Sequence, residues 1–319
     1  MLWLTWRQHR LQLVTTILVL GTIAAYLIPT SRDVVAFART FNESCFTDPA
    51  AGQSAACEGL FSANRFVGEP TSIKQLLILC NLLPAIVAIF WGAPMIAREF
   101  ERGTHRLAWT QSVSPARWTA IKLTALMLAA ALGGAAASKL FTWALSGWRV
   151  TGGISRFRDW YAFDLVGVVP VVLWPLALLL GAAAGLVVRR TSVAMATSLV
   201  LFGLLILGMA QLRPHHANPV TMPASMQEQI SPSIEAWFIE RTIVDRAGRG
   251  VSIAKVDSLC PYVPMRSNEC LQKQGWQEVI RYHPANRFWR FQWTQAGILA
   301  TCAALLTGFV MIRIRRRAW

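Results

Sequence analysis

Long apolar runs alternate with charged connections along the whole of this 319-residue chain. A spanning helix needs about 20 mostly apolar residues, each rising ~1.5 Å through a hydrocarbon core ~30 Å thick. Six stretches meet that requirement: about 11–29, 76–97, 119–146, 163–188, 193–212 and 294–312. The pattern predicts an all-α integral membrane protein with six transmembrane helices. Two long connections, 30–75 and 213–293, fall on one side, so a large external segment separates helices 5 and 6. The segment 98–118 falls on the other side, as does the tight turn Arg189-Arg190-Thr191-Ser192. The first apolar run exceeds a signal peptide's apolar region of about 7–15 residues, and no convincing small-residue cleavage site follows it. It is taken as the first span.

Composition agrees with this pattern. The chain is 54% hydrophobic and 15% charged, with a mean hydropathy of +0.42, whereas roughly a quarter of residues are charged in soluble domains. Charge then assigns the sides. Arg7, Arg10, Arg98, Arg102, Arg106, Arg117, Lys122, Arg189, Arg190, Arg313, Arg315, Arg316 and Arg317 share one face with only Glu99 and Glu101, a net +11, against +3 over the longer opposite loops. Lys and Arg concentrate in cytoplasmic connections, so both termini and 98–118 are expected in the cytoplasm. The same asymmetry and attraction to anionic membrane lipid explain the pI near 10.6 without any nucleic acid partner.

Trp3 and Trp6 beside Arg7 and Arg10 predict a short interfacial helix running into the first span. Pro84, Pro94, Pro170 and Pro175 either bend their helices or are simply tolerated, as prolines often are in membranes. The small-residue stretches 132–138 (LGGAAAS) and 181–185 (GAAAG) predict close helix packing, with a partner in this chain or another. Trp276, Tyr282, Phe288, Trp289, Phe291 and Trp293 predict an external aromatic belt. Cys45 and Cys57 lie in one external loop and Cys260 and Cys270 in the other. Local pairing as Cys45–Cys57 and Cys260–Cys270 is expected in an oxidising exterior; four free thiols is the alternative.

The chain carries no phosphate-cradling loop, zinc helix or nucleophile elbow, and no pair of carboxylates within a span. His215 and His216 are adjacent, point apart and have no well-spaced third ligand, so no metal site is assigned. No catalytic residues are expected. Residues 97–118, AREFERGTHRLAWTQSVSPARW, carry the remaining signal. Gly103 suits the end of one short helix and Thr104 the start of another; Leu107 and Trp109 add an apolar side, and Ser114-Pro115 restarts the next span. The composition fits a knob that docks into a protein groove, and equally a solvated loop on lipid headgroups.

Three stretches resemble permease subunits of type-2 ABC exporters, in particular an actinobacterial group. They are GAPMIAREFERGTHRLAWTQSVSPARWTAIKL (92–123), FDLVGVVPVVLWPLALLLGAAAGLVVRRTSVAMATSL (163–199) and YHPANRFWRFQW (282–293). The resemblance implies that 98–118 is a coupling helix docking on a separate cytoplasmic ABC ATPase, which would bind the ATP and Mg. Glu99, Glu101, Arg102, Gly103 and Thr104 would then transmit nucleotide-driven motion, with Leu107 and Trp109 as the docking side. It further implies pairing with a second permease, a substrate path between the two, and a place in a bacterial plasma membrane. No cofactor is expected in this chain. A non-transporting membrane sensor or assembly component, whose knob binds another cytoplasmic protein, is the competing reading; a lipid-acting membrane enzyme lacks any catalytic constellation.

Overall fold

The computed structural model describes residues 2–45, 71–101, 114–150, 154–224, 236–260 and 267–317. Most of these are helical, and six helices are long and apolar enough to cross a membrane. The chain divides into two units, Met1–Arg213 with Trp289–Trp319, and Pro214–Phe288.

In the first unit, α1 (Leu2–Cys45) is one continuous helix of 44 residues. The short helix expected to run into the first span is the first turns of α1, and residues 30–45, read as loop, prolong its far end. The second span is α2 (Thr71–Cys80), α3 (Leu83–Val87), a π-helical turn Ala88–Gly92 and α4 (Ala93–Glu101). Pro84 falls in the first turn of α3, where a missing N–H costs nothing. The third span is α5 (Pro115–Val150). After the short α6 (Trp160–Phe163), the fourth span is α7 (Val169–Val188), starting later than its hydropathy boundary at 163. Pro170 sits in its first turn, so of the two prolines expected to bend this span only Pro175 is interior. The fifth span is α8 (Thr191–Leu212).

Both small-residue stretches find their partner within this chain. A Cβ on Gly181 would collide with the Ala88 carbonyl, and one on Gly185 with the Ala93 carbonyl, so α7 lies directly on the backbone of the second span. Gly133 and Gly134 make room for the Trp174 ring, and a side chain on Gly134 would also meet the Pro170 carbonyl.

Residues 154–168 form a packed layer at the Asn81 end of the bundle, where polar side chains from several spans, buried or half-buried, capture its backbone. Asn81 donates to the Tyr161 carbonyl at 2.8 Å, and the Ser138 hydroxyl donates to that of Gly167 at 2.7 Å. Arg213 donates to the carbonyls of Phe157 and Arg158 at 2.8 and 2.9 Å, its guanidinium 4.4 Å above the Phe163 ring. Gln292 is fully buried; its amide donates to Phe163 and its oxygen accepts from Val168 and Val169, at 3.0 to 3.1 Å. That oxygen occupies the place of a Cβ on Gly167, whose φ of +72° also favours glycine. Gln295 donates to Asp164 at 2.7 Å. Burial pushes the Asp164 carboxyl above its usual range, against the opposing pull of Arg213 and of the Gln295 hydrogen bond.

The second unit corrects the all-helical expectation. It contains a three-stranded antiparallel sheet of β1 (Val220–Pro223), β3 (Gln277–His283) and β2 (Trp237–Val244), with β3 in the centre. Val220 pairs with Tyr282, and β2 shifts register between Phe238 and Glu240. Met222, Ala236, Ile280 and Tyr282 make one core. A second comprises Val256 of α9 (Ile253–Leu259), Leu271 of α10 (Ser267–Lys273) and Trp276. Cys260 and Cys270 are joined, with Cα atoms 5.8 Å apart. The pairing expected for Cys45 and Cys57 lies outside the described residues.

The expected aromatic belt divides. Trp276, Tyr282, Phe288 and Phe291 are buried, leaving Trp289 and Trp293 exposed on α11 (Phe288–Arg317), the sixth span. Phe291 meets Phe157 edge-on at 5.0 Å. Aromatic spacing alone cannot separate rings that face lipid from rings that fill a core.

Candidate coupling site

At the opposite end of the first unit, the second span stops at Glu101 and the third resumes at Pro115. Of the residues expected to couple, Glu99 and Glu101 are described; Arg102, Gly103, Thr104, Leu107 and Trp109 lie outside the described residues. The geometry therefore concerns the two stems of the segment.

The first stem is prepared by the break at 88–92. Pro94 lacks the N–H that would serve the Phe90 carbonyl in an unbroken helix, and Ala93 donates instead to Ala88, one residue further back. Gln12 of the first span reaches across and donates to the Phe90 carbonyl at 2.7 Å. His9 Nδ1 in turn donates to the Gln12 side-chain oxygen. A carbonyl freed within a membrane span has no water to bond and needs a donor from a neighbouring helix, and Gln12 supplies it to the irregular turn of the second span.

Beyond it, Glu99 and Lys122 form an ion pair at 2.8 Å that joins the two stems. Lys122 is buried, lies 4.8 Å above the Trp118 ring and has the Met95 carbonyl at 3.5 Å. Trp118 and Lys122 are four residues apart and so share one helix face. Ser114 begins α5, its carbonyl accepting from Trp118 N–H at 3.0 Å.

Glu101 is exposed yet engaged. It accepts from both the backbone N–H (3.3 Å) and the hydroxyl of Thr191, the first residue of α8. Arg190 precedes that helix without a side-chain cap, so a carboxylate 90 residues away serves an orphan N–H at the positive end of its dipole. In the same turn Arg189 takes φ 60° and closes α7, its N–H bonded to Gly185 at 3.1 Å. Its guanidinium stands 5.5 Å from the Phe100 ring. The stems of 102–113 are thus tied to the third span through Glu99 and to the junction of the fourth and fifth through Phe100 and Glu101.

A sequence model of the family described as ABC-2 membrane transporter related matches residues 17–213. The chain belongs to that family. No curated protein and no solved structure matches it. The match begins within the first span, takes in the second to fifth spans and the segment 98–118, and ends at Arg213, just before the second unit. Membership of the ABC-2-related family and six apolar helices fit a multi-pass transporter permease subunit that is not itself catalytic.

Sequence reasoning named the two glutamates but missed their partners. Lys122 entered only as a cytoplasmic charge and Thr191 only as part of a turn. Their signals were present: an aromatic–lysine pair at helical spacing, and a helix start with basic residues where an acceptor is wanted. Gln12 had a signal too, since Pro94 leaves an acceptor four residues before it. Among the described residues no cluster of potential metal ligands occurs.

Proposed function

We propose that this chain is the membrane permease of an ATP-driven exporter, with residues 98–118 receiving the stroke of a separate cytoplasmic ABC ATPase. One observation carries the reading: the two stems of that segment are joined by Glu99–Lys122 at 2.8 Å, and the first is tied to the junction of the fourth and fifth spans by Glu101–Thr191 and Arg189–Phe100. A push on the segment would reach the third, fourth and fifth spans together. The ATPase supplies the ATP and Mg chemistry, and a second permease, a copy of this chain or a related subunit, completes the path. An amphipathic or hydrophobic substrate would leave by alternating access across a bacterial plasma membrane. The positive-inside charge division supports this orientation, the Cys260–Cys270 bond supports an oxidising exterior for 214–288, and the likeness of 92–123 to actinobacterial exporters supports the direction of transport.

The test is reconstitution with the ATPase that co-purifies with the chain, measuring complex retention, ATP hydrolysis and transport separately. Trp109→Ala should weaken retention roughly 30-fold, the loss of a ~2 kcal/mol aromatic anchor. Gly103→Val should leave hydrolysis while transport falls, because a β-branched residue would strain the left-handed helix end that the sequence leads one to expect at that glycine. Unchanged retention and transport in both variants would make the segment a solvated loop and remove the reading. Impermeant labelling in whole cells should favour Ser267→Cys over Ser114→Cys; the reverse preference would overturn the orientation.

A further inference from the structure

A cavity of about 370 Å³ lies between the first and second spans, with Trp174 of the fourth and Met195 of the fifth at its back. Its axis follows from the antiparallel pairing of Gln12 with Phe90. From there the wall runs along α1 to Leu20 and along the second span to Leu83, while Arg98 and Leu11 line the other end. Arg98 lies 15 residues beyond Leu83, roughly 22 Å at ~1.5 Å per residue. The long portion is apolar. Gln12 stands midway, level with Phe90, Thr15 and Thr16 follow it toward Leu20, and the single charged group of the lining, Arg98, closes one end. Arg98 is exposed and has no ion-pair partner among the described residues. Leu11 and Phe90, which help form the walls, are 71% and 53% exposed, so the cavity opens sideways between the two helices.

A volume in this range suits a small ligand, and the distribution of polarity states which kind. Hydrocarbon fits the length, and a single anion fits the end where a cation stands at the bundle edge. A neutral oil would leave Arg98 unused, and a cationic amphiphile would meet it with like charge. We infer that this cavity binds an amphiphile with one anionic headgroup, its head at Arg98 and its acyl chain against Leu20, Leu83 and Ile86. Two sources share that chemistry, an anionic phospholipid of the surrounding leaflet and a single-chain acid presented for transport. The inference needs no ATPase and no transport, so it can fail while the exporter reading stands, and the reverse.

The experiment uses the full chain in nanodiscs of phosphatidylcholine, titrated with dansyl-undecanoate and followed by dansyl emission. Saturable binding is expected. Arg98→Gln should weaken it about tenfold, the worth of one charge-assisted contact, and Arg98→Lys should restore most of it. Thr16→Trp, which fills the cavity from the exposed first span, should abolish the saturable component while thermal unfolding of the disc-embedded protein stays close to the parent's. A matched trimethylammonium probe should show no saturable binding. Repeating the titration in discs containing phosphatidylglycerol separates the sources: displacement of the probe identifies membrane lipid as the occupant, and undiminished binding identifies the single-chain acid. Equal binding by Arg98→Gln and the parent, or equal binding of anionic and cationic probes, would overturn the inference.

Discussion

The two ends of the membrane unit hold themselves together in different ways. At the Asn81 end, buried or half-buried side chains bond to backbone groups of 154–168: Asn81, Ser138, Arg213 and Gln292 all meet carbonyls or amides. At the Glu101 end the ties lie at the margin of the bundle, mostly between side chains, and Glu101 and Arg189 are exposed. A backbone carbonyl has one place to be, and losing its buried donor leaves an unsatisfied group. Ties that involve exposed side chains, as those of Glu101 and Arg189 do, can re-form in another arrangement at little cost, whereas the Glu99–Lys122 pair, with Lys122 buried, is the firmer tie at this end. The bundle is therefore fixed at one end and more adjustable at the other, the end at which coupling is proposed.

This contrast is open to direct attack. The largest effect is expected at Gln292→Leu, which strands two N–H groups and a carbonyl in a site without water; about 4 kcal/mol should be lost, seen as a large fall in Tm in detergent. A loss no greater than that from the exposed Glu101 would erase the difference between the ends. Next comes Glu99→Gln. It leaves the Lys122 ammonium buried above Trp118 with no carboxylate, at a cost of roughly 2 kcal/mol, less than a fully buried pair because Glu99 keeps some water. A double-mutant cycle with Lys122→Met isolates the pair, and a coupling near zero would show that the stems are not joined there.

Gln12→Leu should cost about 1 kcal/mol by withdrawing the donor from the Phe90 carbonyl. Amide exchange at the second span should rise locally around 88–92, and exchange rising uniformly would count against a local role. Glu101→Gln keeps an acceptor for Thr191 but removes the charge at the start of α8, a loss of about 0.5 kcal/mol. Its signature is functional: transport per ATP should fall while Tm barely moves. Smallest is a pH control in the second unit. Hydrogen bonds from the Arg249 and Ala247 amides and the Arg249 side chain hold the exposed Asp245 carboxyl below its usual range. A lowered pKa stabilises the fold at neutral pH and is lost as pH falls through the native value. Asp245→Asn should therefore flatten the acid limb of the stability profile slightly, and an unchanged limb would dissociate that turn from acid sensitivity.

The spans were legible because burial in lipid leaves a one-dimensional signal, some 20 apolar residues in a row. The layer at 154–168 was not. It reads as a loop of mixed polarity, and what holds it is Gln292, more than 120 residues away, whose role no local pattern encodes. The same limit hid the sheet of 214–288, whose strands are short and whose central strand comes last in sequence. At the coupling site the glutamates stood out because acids are scarce on that face. Lys122 and Thr191 did not, since a basic residue at a membrane edge and a threonine in a turn are what such places ordinarily contain.

The π-helical turn at Ala88–Gly92 has a consequence of phase. It holds one residue more than an α-helical turn would, and each residue of a helix advances the side-chain direction by about 100°. All that follows, from Pro94 through Glu101, is thus turned by about that angle relative to an unbroken helix. Glu99 and Glu101 face Lys122 and Thr191 because of that offset. Deleting one residue from this turn would preserve the composition of the span and its length within ~1.5 Å, yet rotate both carboxylates off their partners. The second span works here as a gear cut one tooth out of step, and its mesh with the rest of the bundle depends on the missing alignment.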